Sequence, residues 1–128
     1  MRRAALALAL VPLAACAPEV EVGRALYAER CAACHGPTGL GDGPAATGIA
    51  VPDITTLTAR NGGTYPQVYV MAVIDGYNRE GEHGSLMPVF GPELAEGDLV
   101  GVEVDPGVLT PTPARLVALA AYIETLQR

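Results

Sequence analysis

Cys31-Ala32-Ala33-Cys34-His35 decides how the rest of this chain is read. Two thiols three positions apart, followed at once by an imidazole, spell C-x-x-C-H, the attachment signature of c-type haem. The spacing has a geometric reason. Each thiol adds to one vinyl group of the porphyrin, and two intervening residues let one turn of chain span the vinyl-bearing edge. His35 is then aimed at the iron as an axial ligand. C-x-x-C alone also serves thioredoxin-like redox sites and zinc sites, so a structural disulfide or a partial metal site is the competing reading of Cys31 and Cys34. The histidine directly after them, in a chain with export signals, favours haem.

The 128-residue chain has room for one domain. It opens with Arg2-Arg3 and a short apolar run from Ala4 to Val11, the charged and hydrophobic regions of a signal peptide. The run is too short to span a bilayer as a helix. It leads into Leu13-Ala14-Ala15-Cys16, which resembles the lipobox of bacterial lipoproteins, where the cysteine becomes the acylated N-terminus after cleavage. Ordinary cleavage after the A-x-A-like Ala15-Cys16-Ala17 is the alternative and would discard Cys16. The sole cysteine outside the haem motif stands at the box position, which favours acylation of Cys16 and anchoring at a membrane surface. The expected division is a signal peptide over 1–15, a tether over 16–21 and a folded domain over 22–128.

Residues 16–128 hold six Arg, no Lys and fourteen carboxylates, a balance of −8. That acidity argues against nucleic acid and against charge-driven adsorption to anionic lipid. It fits a partner with a basic docking surface, or plain solubility. With one Phe and no Trp beside 15 Gly and 11 Pro, the side chains build only a thin core. A covalently held haem would supply the missing apolar mass.

Val22 to Arg30 reads as a helix with Val22, Gly23, Leu26 and Tyr27 on one side, delivering the chain into the motif. Gly23 weakens such a helix and so implies close approach of another one. Gly36 to Pro52 is dense in breakers and reads as a loop that wraps something; Asp53 to Arg60 is expected as a short helical turn. A helix from Tyr65 to Asp75 follows, capped by Thr64, with Pro66 in its first turn and Gly76 as its stop. Val70, Val73 and Ile74 point inward from it. Residues 76–92 are irregular, Glu93 to Asp98 forms a turn of helix, and 100–111 reads as a surface insertion of alternating valines and acids, with no strand ladder. The last helix takes Thr112 as N-cap and Pro113 at N1 and runs to Leu126. Leu116, Leu119, Ala120, Ile123 and Leu126 form its apolar stripe beside Tyr122.

The sixth iron position separates electron carriers, where it is filled, from binding or catalytic haems, where it is open. Met87 precedes Pro88 in a Gly-rich loop, where a thioether can swing onto the metal and the proline stiffens the backbone that presents it. Met71 lies among valines and isoleucine inside a helix, a position that suits core packing. His83 sits in the polar turn Glu80-Gly81-Glu82-His83-Gly84, where a histidine is usually solvated but is able to coordinate. Met87 is the preferred ligand.

On these residues the chain resembles the small cytochrome c family. Gly23 and Tyr27 match Gly-x-x-x-Tyr before the haem motif, and Leu119, Tyr122, Ile123 and Leu126 match the pattern of the last helix. The Gly36 to Pro44 loop and the Gly84 to Phe90 methionine loop fall in the family's order. The resemblance implies an all-α fold: three to four short helices and long loops wrapped around one covalent haem c, the first helix packed across the last. It implies His35 and Met87 as axial ligands and the Pro44 carbonyl as acceptor for the His35 Nδ1–H, with Pro37 as a neighbouring alternative. Arg60, Tyr65 and Arg79 are its candidates for the haem propionates, against their reading as exposed surface residues.

The implied function is one-electron transfer, without catalysis, in a bacterial periplasmic or membrane-associated chain. Redox partners by analogy are a respiratory or photosynthetic complex or a periplasmic dehydrogenase. An open-site haem protein that senses a gas or reduces peroxide is the alternative. Residues 100–111 exceed what a minimal member needs.

Overall fold

Gly23 is where the two longest helices meet. The computed structural model describes residues 19–78 and 86–128, and in it α1 (Glu19–Arg30) crosses α6 (Ala114–Thr125) at that glycine. A Cβ on Gly23 would overlap the Ala118 carbonyl and press on the Tyr122 Cβ, which is the close approach its presence in a helix implied. α1 carries Glu19 and Glu21 in its first turn and Arg30 in its last, charges that complement the helix dipole. Gly23, Leu26 and Tyr27 are its buried side, while Val22 faces solvent. The Tyr27 and Tyr122 rings pack tilted against each other, centroids 5.2 Å apart. α6 supplies the centre of the core through Leu116, Val117, Leu119, Ala120 and Ile123, with Leu126 half-buried at its end.

α2 (Ala32–His35) follows α1 after a break at Cys31, and 3-10 turns form at Pro44–Ala46 and Ile54–Thr56. α3 (Leu57–Arg60), α4 (Gln67–Asp75) and α5 (Gly91–Leu94) complete the helical set. α4 stops at Gly76, whose φ of 97° lets its N–H turn back to the Ala72 carbonyl at 3.2 Å. The chain that leaves α4 there is brought back at residue 90: Phe90 N–H donates to the Ile74 carbonyl at 3.1 Å, and Gly91 lies against Asp75 with no space for a side chain.

Five expectations need correction. Residues 19–21, expected in the tether, belong to α1, and the remainder of the expected tether and leader, residues 1–18 with Cys16, lies outside the described residues. The fold is predominantly helical but not all-α, because Leu99–Asp105 (β1) and Val108–Pro113 (β2) form an antiparallel hairpin where an irregular insertion was expected. Thr112 pairs with Val100 in that hairpin, so α6 starts at Ala114 with Pro113 as its N-cap. α4 likewise begins after Pro66, not at Tyr65, and the expected turn at Glu93 to Asp98 is displaced to α5.

The hairpin tolerates its prolines for a geometric reason. Ala114 N–H donates to the Asp98 carbonyl at 2.9 Å, which makes Leu99 and Pro113 a non-hydrogen-bonded pair; Gly101 and Pro111 are the next of that kind. At such pairs the N–H faces away from the partner strand, so a proline costs no ladder bond. Val102 is buried and Val104 packs on the core from the inner face, while Leu99 and Leu109 remain exposed. Among the described residues no helix is long and apolar enough to cross a membrane.

Candidate functional site

Cys31, Cys34 and His35 are presented by a single turn of backbone. Cys31 N–H continues the α1 ladder to the Tyr27 carbonyl at 2.9 Å, and His35 N–H donates to the Cys31 carbonyl at 2.9 Å. The two cysteines are not joined in a disulfide. Cys31 and His35 are buried and Cys34 is half-buried. Burial, reinforced by the neighbouring Cys34, pushes the Cys31 thiol up to about 12, so it is neutral at physiological pH.

The glycine-rich loop holds this turn from outside. Gly41 N–H donates to the His35 carbonyl at 2.9 Å and Gly43 N–H to the Cys34 carbonyl at 3.1 Å. Gly43 sits so close to the Ala32 and Ala33 carbonyls that no side chain fits there. Tyr27 donates its buried hydroxyl to the Gly36 carbonyl at 2.8 Å, and burial raises that phenol above its ordinary range. Pro44 opens the 3-10 turn that packs on α2; its carbonyl accepts the Thr47 hydroxyl at 3.3 Å.

Cys31 and His35 open onto an apolar cleft of about 430 Å³, part of it open to solvent, lined also by Ile54, Leu57, Tyr69, Val70, Val73, Ile74 and Ile123. Ile54, Leu57 and Tyr69 also line a second cleft that ends at Arg60 and Asn61. The shared walls make one slot: the Cys31 thiol and the His35 imidazole line one part, the sides are apolar, and the Arg60 guanidinium lines the other part, with the half-buried Cys34 one residue before His35. A planar apolar group with anionic substituents, which is what haem is, fits that donor set and that polarity. Among the described residues no three His, Cys, Asp or Glu side chains group around a common point, so the zinc reading finds no ligand set there.

Met87 is half-buried and packs on the core, whereas Met71 is fully buried within α4, as its apolar neighbours implied. Arg60 lies at the slot's polar end and donates from Nη2 to the Asp53 carbonyl at 3.1 Å. Tyr65 and Met87 line neither cleft; the Tyr65 hydroxyl donates to the Ala120 carbonyl at 2.8 Å, tying the start of α4 to α6. Arg79 and His83 lie outside the described residues.

Sequence reasoning missed the slot wall at 53–60 and the residues that fix it. Asp53 accepts from the Thr55 N–H at 2.8 Å, the Thr55 hydroxyl at 2.6 Å and Arg128 Nη2 at 2.8 Å. The Asp-x-Thr spacing is the local signal that could have revealed the Thr55 half of this arrangement. The Thr55 bonds, followed by Arg128, hold the Asp53 carboxyl below the usual range. A depressed carboxylate adds stability that is fully present above its unfolded value near about 3.9 and is lost as pH falls through the lower folded value. Thermal melts of wild type and Asp53→Asn should therefore differ most above about pH 5 and converge only well below about pH 3.9, as the folded-state carboxylate takes up its proton. A difference independent of pH would show that the carboxylate's charge contributes nothing.

The family model for cytochrome c matches residues 20–127 of the chain. No curated protein matches it.

Proposed function

The chain belongs to the cytochrome c family, and from that premise we propose that it is a mono-haem electron carrier ligated by His35 and Met87. Its cofactor is one covalently attached haem c. Cys31 and Cys34 hold the porphyrin edge as thioethers. The single observation that carries this reading is the slot, onto whose walls α2 opens Cys31 and His35 and whose far end is Arg60.

When bound, the haem supplies a one-electron Fe(III)/Fe(II) couple. The chain's residues do the rest. His35 is held on a turn whose carbonyls are bonded by Gly41 and Gly43, which fixes the backbone that presents its ring. The Pro44 carbonyl, beside that turn, is our acceptor for the His35 Nδ1–H, which would raise the basicity of the ligand. Met87, stiffened by Pro88, offers a thioether that favours the reduced state. Ile54, Leu57, Val70, Val73, Ile74 and Ile123 exclude water from the ring, and Arg60 offsets propionate charge. With His35 and Met87 both available to hold the iron, electron transfer would need no exchange of ligands.

Members of this family pass electrons to redox partner proteins. For this chain the acidic balance of −8 over residues 16–128 supports partners with basic docking surfaces. A respiratory or photosynthetic complex or a periplasmic dehydrogenase fits that description. The leader-like start and the lipobox-like Cys16 support export to a bacterial periplasm and lipid anchoring there. Mass spectrometry of membrane-extracted protein tests the anchor: an unmodified N-terminus at Pro18 would end that part of the reading.

The decisive test of ligation is Met87→Ala in protein matured with covalent haem. We expect the sulfur-to-iron band of the oxidised form to vanish and carbon monoxide to bind the reduced form. The potential should fall by on the order of 100 mV, within the roughly 0.8 V range that axial ligands command. Unchanged axial spectra would remove Met87 from the iron, and carbon monoxide binding by the wild type would favour the open-site alternative.

A further inference from the structure

We infer that Gln127 and Arg128 form a latch that sets the position of the slot wall, and through it the reduction potential of the haem. The inference rests on the electron-carrier reading above and adds positioning residues that no motif assigns. The wall from Asp53 to Arg60 is a 3-10 turn followed by a single turn of α-helix, too short to satisfy its own backbone groups. Residues about seventy positions away do so instead. Gln127 Nε2 donates to the Ile54 carbonyl at 2.8 Å and to the Ile123 carbonyl at 2.9 Å, while its Oε1 accepts the Thr58 N–H at 3.0 Å.

Arg128 completes the arrangement. Its backbone N–H donates to the Thr55 carbonyl at 3.0 Å, its Nε to the Thr55 hydroxyl at 2.7 Å and its Nη2 to the Asp53 carboxylate at 2.8 Å. Thr55 is itself buried, so these bonds lie partly out of water, where they hold geometry better than surface contacts do. Ile54 and Leu57, which alternate with the latched residues, are the side chains that line both halves of the slot. Ile123 joins them from α6, and the same glutamine bonds its carbonyl. The latch therefore ties the slot wall to the helix that also packs against α1, which leads into the haem motif.

Loosening the wall would admit water to the ring. Water stabilises the more highly charged oxidised state, so the potential falls, burial and dielectric being among the levers a protein has on a haem. The test is Gln127→Ala, compared with wild type and with Val102→Ala, a core-thinning change in the hairpin, which lines neither cleft. In Gln127→Ala the Thr58 amide should lose its hydrogen-exchange protection. At fixed electrode potential the ferrous-to-ferric ratio should fall about threefold to tenfold, the tenfold end being about 59 mV for a one-electron couple.

Val102→Ala should lower the melting temperature and leave the ratio unchanged. Equal ratios in the two variants, or a protected Thr58 amide in Gln127→Ala, would overturn the latch. If Gln127→Ala fails to fold, Arg128→Ala, which keeps the glutamine bonds, must move the ratio in the same direction by a smaller amount. A wild type without a c-type spectrum would sink the carrier reading, whereas the Thr58 exchange result judges the latch without reference to haem.

Discussion

The double variant Cys31→Ala/Cys34→Ala is expected to carry no covalent haem and to lose most of its folded population, while each single variant keeps haem through one thioether. The covalent bonds matter beyond attachment, because they hold the ring at a high effective concentration beside the slot. Without haem the apolar walls of the slot would face water or have to collapse onto one another, and either outcome costs stability. Domains of this kind are stable by only about 5–15 kcal/mol in all, and this one has few large side chains to repack the space. The check is acid–acetone extraction followed by a pyridine haemochrome spectrum, with circular dichroism melts on the same samples. Haem that resists extraction from the double variant would refute thioether attachment at this motif.

How much of this was legible beforehand follows from the range over which each feature is determined. The haem motif is local chemistry: two thiols and an imidazole must lie within one turn, so five letters carry it. The α1–α6 crossing was legible because Gly23 is costly in a helix unless something comes close, and what comes close is Ala118. Gly76 announced the end of α4 in the same way, through a backbone conformation that glycine adopts without strain. The hairpin hid behind Pro111, which reads as a breaker, and Pro113, which reads as the first residue of the last helix, until the register shows that the side lacking their N–H groups faces away from β1. The bond from the Tyr65 hydroxyl to the Ala120 carbonyl spans 55 positions, beyond the reach of any local pattern. The slot wall was the least legible part. Its bonds to Gln127 and Arg128 span 69 to 75 positions, and an isolated glutamine has no spacing that reveals which backbone groups it will meet.

Gly23→Ala is expected to destabilise the protein severely even though alanine is the better helix former. In an open helix the change would stabilise by about 1 kcal/mol. Here the added methyl would occupy the space of the Ala118 carbonyl, a backbone atom that cannot rotate aside, with the Tyr122 Cβ behind it at 2.9 Å. The helices must separate, which loosens the packing of Tyr27 on Tyr122 and of Leu26 in the core. Overpacking of this kind costs about 3 kcal/mol at the upper end of its usual range. The net loss of about 2 kcal/mol corresponds to a fall of roughly 10 °C in melting temperature for a domain near 100 residues.

The control is the same substitution elsewhere. Gly101→Ala in β1 would bring its methyl no nearer than 3.8 Å to Leu109, an ordinary contact, so its melting temperature should stay within about 2 °C of wild type, as for a surface change of under about 0.5 kcal/mol. Thermal melts of the two variants, both loaded with haem, decide the matter. Because the α1–α6 crossing also orients the turn that bears Cys31 and His35, Gly23→Ala should in addition lower the yield of haem-loaded protein. Equal melting temperatures for the two variants would mean that the helices do not cross at Gly23 as closely as the geometry requires.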